Sequence, residues 1–234
     1  MLHFDSKNYF LGFPCLIVNN VQQLSLPKTV PAGVEVWLLR LNLQAPMSSA
    51  DFLLLSESER ACALRFHTHA DQVRSIATRA ALRRILATKV AVPPHALHFV
   101  NNHYGKPYLH GDTGIDFNVS HAGQFALIAI STHGQVGVDI EDCNRRLDVS
   151  ALTQYVFTDL ERQSELVTTT DFIKRWVAKE SMLKAVGVGI SEHLQTVSIL
   201  PGKHGSYRIV CDYPEWSGLK VWSIEAPDCY AAAL

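Results

Sequence analysis

The chain has 234 residues, of which 47% are hydrophobic and 18% charged, with a formal net charge of −1. The length permits one large domain or two small ones with a substantial core, and the composition excludes intrinsic disorder. The longest apolar runs, such as 125–130, are much shorter than the roughly 18 residues that a membrane helix needs. Five scattered cysteines without a C-x-x-C pair argue against a disulfide framework or a zinc site. With no signal-peptide pattern at the N-terminus, we predict a cytoplasmic protein.

The first half of the chain alternates strand and helix patterns. A β-rich stretch at 34–41 precedes a helical stretch at 48–66. The strongest helix is predicted over 71–91, where apolar residues recur near the 3.6-residue period until Pro93 and Pro94 end it. Short strands, separated by glycine-containing turns, are predicted over 97–101, 115–119, 125–131 and 136–141.

The second half repeats this mixture. A helix is predicted over 149–157. The capping-box sequence T-D-L-E at 158–161 predicts the start of a second, short helix, and a third helix is predicted over 171–186, ending at Gly187. The remaining strands are predicted over 197–200, 207–211, 220–225 and 230–233. We therefore predict an α+β fold of two similar lobes, 1–132 and 133–234, each with a small, mainly antiparallel sheet packed against helices.

The near-neutral charge conceals a basic block over 60–89, which contains seven Lys and Arg residues against one Asp. A local charge of +6 suggests an anionic ligand or partner, although a solvated helix face would give the same pattern. A nucleic-acid partner is not predicted, because Phe66 is the only aromatic residue in the block.

Two groups of charged residues are candidates for a functional site. In V-G-V-D-I-E at 136–141, Asp139 and Glu141 share one face of a strand. Two such carboxylates are either ligands of Mg²⁺ or the polar outer face of an edge strand. In the helix at 171–186, Glu180 and Lys184 lie at helical spacing on the same face as the apolar residue Trp176. They are either functional groups or an ordinary surface ion pair. As catalytic groups they are separable: replacing Lys184 with Ala should lower turnover and leave stability unchanged or raised.

A third group lies in D-F-N-V-S-H at 116–121. Ser120 and His121 are neighbours on a strand and point to opposite faces, so they do not form a nucleophile–base pair, and no G-x-S-x-G motif occurs. With Lys106 nearby, they are candidates for a phosphate cradle.

Together these segments resemble the Sfp-type 4′-phosphopantetheinyl transferases. The resemblance covers about residues 60–190 and rests on Y-G-K-P at 104–107, F-N-V-S-H at 117–121, V-G-V-D-I-E at 136–141 and W-V-A-K-E-S-M-L-K-A-V-G at 176–187. It implies a pseudo-two-fold α+β fold with coenzyme A (CoA) and Mg²⁺, or Mn²⁺ in its place, bound between the lobes. It also implies a monomeric enzyme that moves phosphopantetheine from CoA to a serine of an apo acyl-, peptidyl- or aryl-carrier protein, releasing adenosine 3′,5′-bisphosphate.

The resemblance also implies roles for individual residues. The metal ligands are Asp139, Glu141 and Glu180; the catalytic residues are Glu180, Lys184 and Asp139; and the CoA contacts are Arg74, Arg79, Lys106, Ser120, His121 and Lys184. Some relatives have lysines where this chain has Glu59 and Cys62, so contacts to the CoA 3′-phosphate fall to Arg65, Arg74 or Arg79. The alternative function is a non-catalytic CoA- or carrier-protein-binding module of the same fold. Loss of an acid or of the lysine would mark such a module, and all four of these residues are present.

Overall fold

The computed structural model describes residues 9–10, 13–14, 18–47, 49–163 and 168–234. Most of the N-terminal segment on which the absence of a signal peptide was predicted lies outside these ranges, as does Cys15. Within them, no helix combines the length and the apolar character that crossing a bilayer requires.

Among the described residues, the first half of the chain contains three α-helices and eight strands. The predicted helix at 48–66 is split, because Ser56 starts a new helix with a capping box to Glu59. The helices are α1 (Ser49–Leu54), α2 (Glu57–Leu64) and α3 (His69–Val90). The strands are β1 (Tyr9–Phe10), β2 (Phe13–Pro14), β3 (Val18–Gln23), β4 (Val34–Leu41), β5 (Phe99–Asn101), β6 (Pro107–Leu109), β7 (Asp116–Ala122) and β8 (Phe125–Ser131).

The second half follows the predicted order of elements, except that a short helix at Ile190–His193 was not predicted. The capping box at Thr158 and the left-handed Gly187 after the long helix are both confirmed. Its helices are α4 (Val149–Val156), α5 (Asp159–Arg162), α6 (Thr169–Val186) and α7 (Ile190–His193). Its strands are β9 (Asp139–Asp142), β10 (Val197–Pro201), β11 (Ser206–Cys211), β12 (Val221–Ile224) and β13 (Tyr230–Ala233).

Two differences from the predicted elements have clear causes. The strand expected over 136–141 begins only at Asp139, because the backbone N–H groups of Val136 and Val138 bond to side chains on β7 rather than to a ladder. Strand β3 was not predicted, since its sequence, VNNVQQ, carries too few apolar residues for a strand pattern.

Two antiparallel sheets form the centre of the protein. One has four strands in the order β3-β4-β8-β7 and the other has five in the order β10-β11-β12-β13-β9. Along β8, Ala126, Ile128 and Ile130 pack in the core beneath α3, whereas Leu127 and Ala129 pack in a core shared with the second sheet. The α+β class with small antiparallel sheets packed against helices is confirmed.

The shared core explains why two strands lack a polar face. On β13, Ala231 and Ala233 face α6, while Ala232 packs against residues of the first sheet. Strand β8 therefore lies between α3 and the second sheet, and β13 lies between α6 and the first sheet, so both faces of these two strands are buried. This packing brings β7, β9 and α6 together, and these elements carry the predicted functional residues.

Candidate active site

One face of β7 presents polar side chains to the start of β9. Asp116 and Asn118 accept hydrogen bonds from the backbone N–H groups of Val136, at 2.7 Å, and Val138, at 3.0 Å. One step further along the same face, the Ser120 hydroxyl donates to Asp139 Oδ1 at 2.6 Å. The period-two spacing of 116, 118 and 120 was the sequence signal for this face, although only Ser120 of these three was predicted to contact a ligand.

Asp139 lies at the centre of the site. It is only 1% exposed, and its Oδ1 also accepts a hydrogen bond from Lys184 Nζ at 2.5 Å. Its second oxygen, Oδ2, is buried and has no hydrogen-bond partner among the described residues. A buried, half-satisfied carboxylate is costly in isolation, so this atom is a candidate for contact with a bound cation.

Helix α6 carries Glu180 and Lys184, which lie beside Asp139. Lys184 Nζ lies 3.6 Å from Glu180 Oε2 and 3.2 Å from Ser120 Oγ. The segment before Asp139 reaches the helix closely because residue 137 is glycine. A Cβ there would stand 2.0 Å from the carbonyl oxygen of Ser181, so any other residue would push β9 away from α6.

The electrostatics of the site are those of three clustered acids and one lysine. Burial and the negative charges of Asp139 and Glu141 raise the pKa of Glu180 to about 7. Burial also raises the pKa of Glu141, although its Oε2 accepts a hydrogen bond from Arg145 at 2.6 Å. Burial disfavours the charged form of Lys184, but Asp139 and Glu180 outweigh it and raise the pKa of this lysine.

These observations bear on the predicted metal ligands. The negative charges of Asp139, Glu141 and Glu180 repel one another. A divalent cation would relieve this repulsion, and the unpartnered Asp139 Oδ2 could coordinate it. The donor set of hard oxygens therefore fits Mg²⁺. In their present rotamers, no three His, Cys, Asp or Glu side chains of the described ranges are arranged to hold a metal ion, and the Lys184 ammonium occupies one side of Asp139.

A basic cavity lies on the other side of β7. Its volume is about 290 Å³, and its lining includes Arg74, Arg79 and His121. Arg74 is held by Asp71 and by the carbonyl oxygen of Gly123, at 3.0 Å. Burial and the positive charge of Arg74 lower the pKa of His121. Ser120 and His121 thus face different sites, the acid cluster and the cavity, as predicted from their adjacency on a strand.

Lys106 lies apart from both the acid cluster and the cavity. Its ammonium group donates to Asp116 Oδ2 and to the carbonyl oxygens of Val136 and Ala185. The structure thus brings Ser120, Asp139, Glu180 and Lys184 together in hydrogen-bonding or ion-pair contact. It places Arg74, Arg79 and His121 around the cavity and Lys106 in a set of contacts within the protein.

The basic block does not present six free positive charges. Arg83 and Arg84 are each 1% exposed and form ion pairs with Glu59, at 2.7 Å, and Asp51, at 2.6 Å. The others with described contacts are also bonded within the chain: Arg60 to two carbonyl oxygens, Arg74 to Asp71, Arg79 to Glu59 and Lys89 to Glu35. Much of the predicted charge therefore stabilises α3 and its surroundings instead of facing a partner.

A buried ion pair between α5 and α6 was not predicted from the sequence. Lys179 and Glu161 are both 0% exposed, and their charged atoms lie 2.5 Å apart. Lys179 precedes Glu180 in the W-V-A-K-E segment but points away from the acid cluster, towards Glu161 on α5. The sequence signal was its helical spacing from Phe172 and Met182, which lie seven residues before it and three residues after it and are also buried.

Comparisons with known proteins identify the family of the chain. Residues 46–133 match the family model described as 4′-phosphopantetheinyl transferase, N-terminal, and residues 135–233 match that of the 4′-phosphopantetheinyl transferase superfamily. The 4′-phosphopantetheinyl transferase HetI of Nostoc sp. is 32% identical over 85% of this chain and 86% of its own length.

More distant relatives carry related names. The 4′-phosphopantetheinyl transferase gsp of Aneurinibacillus migulanus is 29% identical over 58% of this chain and 57% of its own. The L-aminoadipate-semialdehyde dehydrogenase-phosphopantetheinyl transferase of Xenopus laevis is 29% identical over 75% of this chain and 64% of its own. With two family models matching in succession and a relative aligned over most of both chains, this chain belongs to the 4′-phosphopantetheinyl transferase superfamily.

Proposed function

We propose that this chain transfers the 4′-phosphopantetheine group from CoA to a serine of an apo acyl-, peptidyl- or aryl-carrier protein. The observation that carries the proposal is the cluster of Ser120, Asp139, Glu180 and Lys184 on one face of β7, with a basic cavity on the other. An anionic nucleotide suits the cavity, and a diphosphate suits a site that combines a lysine with acids able to hold a cation. The active site lies between lobes 1–132 and 133–234.

In this proposal, Arg74, Arg79 and His121 contact the nucleotide phosphates from the cavity. Ser120 and Lys184 contact the diphosphate next to Asp139. Asp139, Glu141 and Glu180 hold Mg²⁺, for which the buried, unpartnered Oδ2 of Asp139 is the main support. When bound, the ion supplies positive charge to the diphosphate oxygens.

The remaining chemistry belongs to the side chains of the chain. The carrier serine oxygen forms a bond to the β-phosphorus of CoA, and the bond from that phosphorus to the bridging oxygen breaks. Glu180 accepts the serine proton, directly or through a water, and Lys184 neutralises the leaving adenosine 3′,5′-bisphosphate or protonates it. Positioning and charge neutralisation account for most catalysis of phosphoryl transfer, in keeping with so compact a charge cluster.

The test is incubation of the full chain with CoA, Mg²⁺ and a panel of apo-carrier proteins, read by intact mass. We expect one carrier to gain the mass of one phosphopantetheine group, and we expect chelation of the metal to stop the gain until Mg²⁺ or Mn²⁺ is restored. Binding of CoA without a mass gain on any carrier would instead support the non-catalytic module.

Replacing Lys184 with Ala should lower kcat by at least about 100-fold, because the site loses its cation beside the diphosphate. The contacts of Lys184 also contradict the expectation, made from the sequence, that this substitution leaves stability unchanged or raised. Removing the ammonium leaves Asp139 and Glu180 without their shared partner, so the free energy of unfolding should fall instead of staying unchanged or rising. Single-turnover mass spectrometry and denaturant unfolding measure the two effects. Lys174→Ala, which removes an exposed lysine from the same helix, is the matched control, and an equal loss of kcat in both variants would contradict the assignment.

A further inference from the structure

Lys106 makes three hydrogen bonds to three different segments. Its Nζ donates to Asp116 Oδ2 at 2.8 Å, to the Ala185 carbonyl oxygen at 2.9 Å and to the Val136 carbonyl oxygen at 3.2 Å. The side chain is 13% exposed. An ammonium group has three N–H donors, so every donor of Lys106 is already used within the protein.

The three acceptors belong to the segments that carry the proposed active-site groups. Asp116 lies on β7 four residues before Ser120, and Val136 lies three residues before Asp139. Ala185 directly follows Lys184 on α6. A single side chain therefore sets the spacing of the three segments whose functional atoms meet at Asp139 Oδ1.

The end of α6 has a particular need for such a donor. The last four carbonyl groups of a helix lack partners within the helix, and a positive charge there is favoured by the helix dipole. Lys106 satisfies the carbonyl of Ala185, while Asn102 Nδ2 donates to the carbonyl oxygen of Gly187 at 2.7 Å. The β5–β6 turn thus binds the C-terminal end of the helix that carries Lys184.

Hydrogen bonds within the turn hold its shape. Asn102 Oδ1 accepts hydrogen bonds from the backbone N–H groups of Tyr104 and Lys106, each at 2.9 Å. The contact with α6 is close: a Cβ at Gly187 would stand 2.9 Å from Asn102 Nδ2 and 3.0 Å from Lys106 Cδ. Gly187 also has a φ of +76°, so glycine serves both the helix end and the contact.

We infer that Lys106 is a positioning residue, which clamps β7, the segment before β9 and the end of α6 so that Ser120, Asp139 and Lys184 converge. This inference rests on the proposed function for its catalytic consequence, and it replaces the CoA phosphate contact that the family resemblance implied for Lys106. A phosphate ligand needs a donor directed at the substrate, and the three donors of Lys106 are directed at Asp116, Val136 and Ala185.

Lys106→Met separates the two roles. For a clamp, kcat should fall about 10- to 100-fold, the usual effect of losing a group that orients others, with the Kd for CoA unchanged. For a phosphate contact, the Kd for CoA should rise and kcat at saturating CoA should hold. Lys106→Arg adds a second comparison, because a phosphate site accepts a guanidinium whereas this three-acceptor site is shaped for an ammonium. The clamp therefore predicts no rescue by Arg.

Amide hydrogen exchange tests the clamp without any transfer reaction. In Lys106→Met, protection should fall at residues 183–187 and 136–138, whereas Lys203→Met, at an exposed lysine, should match the wild type. Asp116→Asn should act in the same direction, and the double variant should lose no more kcat than Lys106→Met alone.

The outcomes distinguish the inference from the proposed function. If the wild-type chain modifies no carrier, the proposed function fails, and hydrogen exchange still decides for or against the clamp. Unchanged protection at 183–187 together with weakened CoA binding would overturn the inference. Lost protection with retained CoA affinity supports it.

Discussion

Asp139→Asn should reduce kcat for phosphopantetheine transfer by about 100-fold or more and leave the chain folded. The asparagine keeps the shape of the side chain, and its amide oxygen can still accept hydrogen bonds from Ser120 and Lys184. The negative charge is lost, and with it the buried Oδ2 that we propose as a metal ligand. Single-turnover transfer at saturating CoA and carrier protein measures the effect.

The same variant provides an independent readout of the acid cluster. Burial is the largest cause of the raised pKa of Glu180, about 7, and the negative charge of Asp139 is the second largest. In Asp139→Asn that pKa should fall towards the ordinary value near 4.5, as followed by NMR titration of the Glu180 carboxyl group. Asp142→Asn, at the end of the same strand, is the control for general changes in charge. Normal Mg²⁺-dependent turnover in Asp139→Asn would show that Asp139 and Glu141 form only a polar strand face.

Lys179→Met should reduce the free energy of unfolding by about 3–5 kcal/mol, the usual effect of removing one partner from a buried ion pair. Lys179 Nζ bonds to Glu161 and to the carbonyl oxygens of Val156, at 3.0 Å, and Leu194, at 2.7 Å. The variant leaves both carbonyls without that donor and leaves the Glu161 charge uncompensated in the core. Typical domains are stable by only about 5–15 kcal/mol, so the loss is a large fraction of the total.

Denaturant unfolding with matched variants isolates the cause. Lys174→Met removes an exposed lysine from the same helix and should have little effect. The double variant Lys179→Met/Glu161→Gln should recover part of the loss, because no uncompensated charge remains in the core. The recovery should be partial, because the Glu161 carboxylate also accepts hydrogen bonds from the backbone N–H groups of Thr158 and Ile199, and the amide of the substituted glutamine cannot replace both of them. If Lys179→Met were as stable as Lys174→Met, the pair would contribute little to the fold.

The residues of the acid cluster could be predicted because their signals are local. Asp139 and Glu141 alternate with apolar residues, and Glu180 and Lys184 are one helical turn apart on a stripe with Trp176. The sequence motifs then indicated that these elements work together. Ser120 and His121 were separated correctly for the same reason, since neighbours on a strand face opposite sides.

The sequence by itself determined the order of most elements, their caps and the α+β class, because periodicity, capping boxes and helix-ending glycines act over a few residues. Only the tertiary structure decided which charges meet. Lys106 and Ala185 are 79 positions apart, and Lys179 and Glu161 are 18 apart on different helices. A basic side chain looks the same in sequence whether it is exposed, binds a ligand or caps a distant helix. Its role depends on which acceptors the packed sheets bring within about 3 Å of it, the distance at which a hydrogen bond forms.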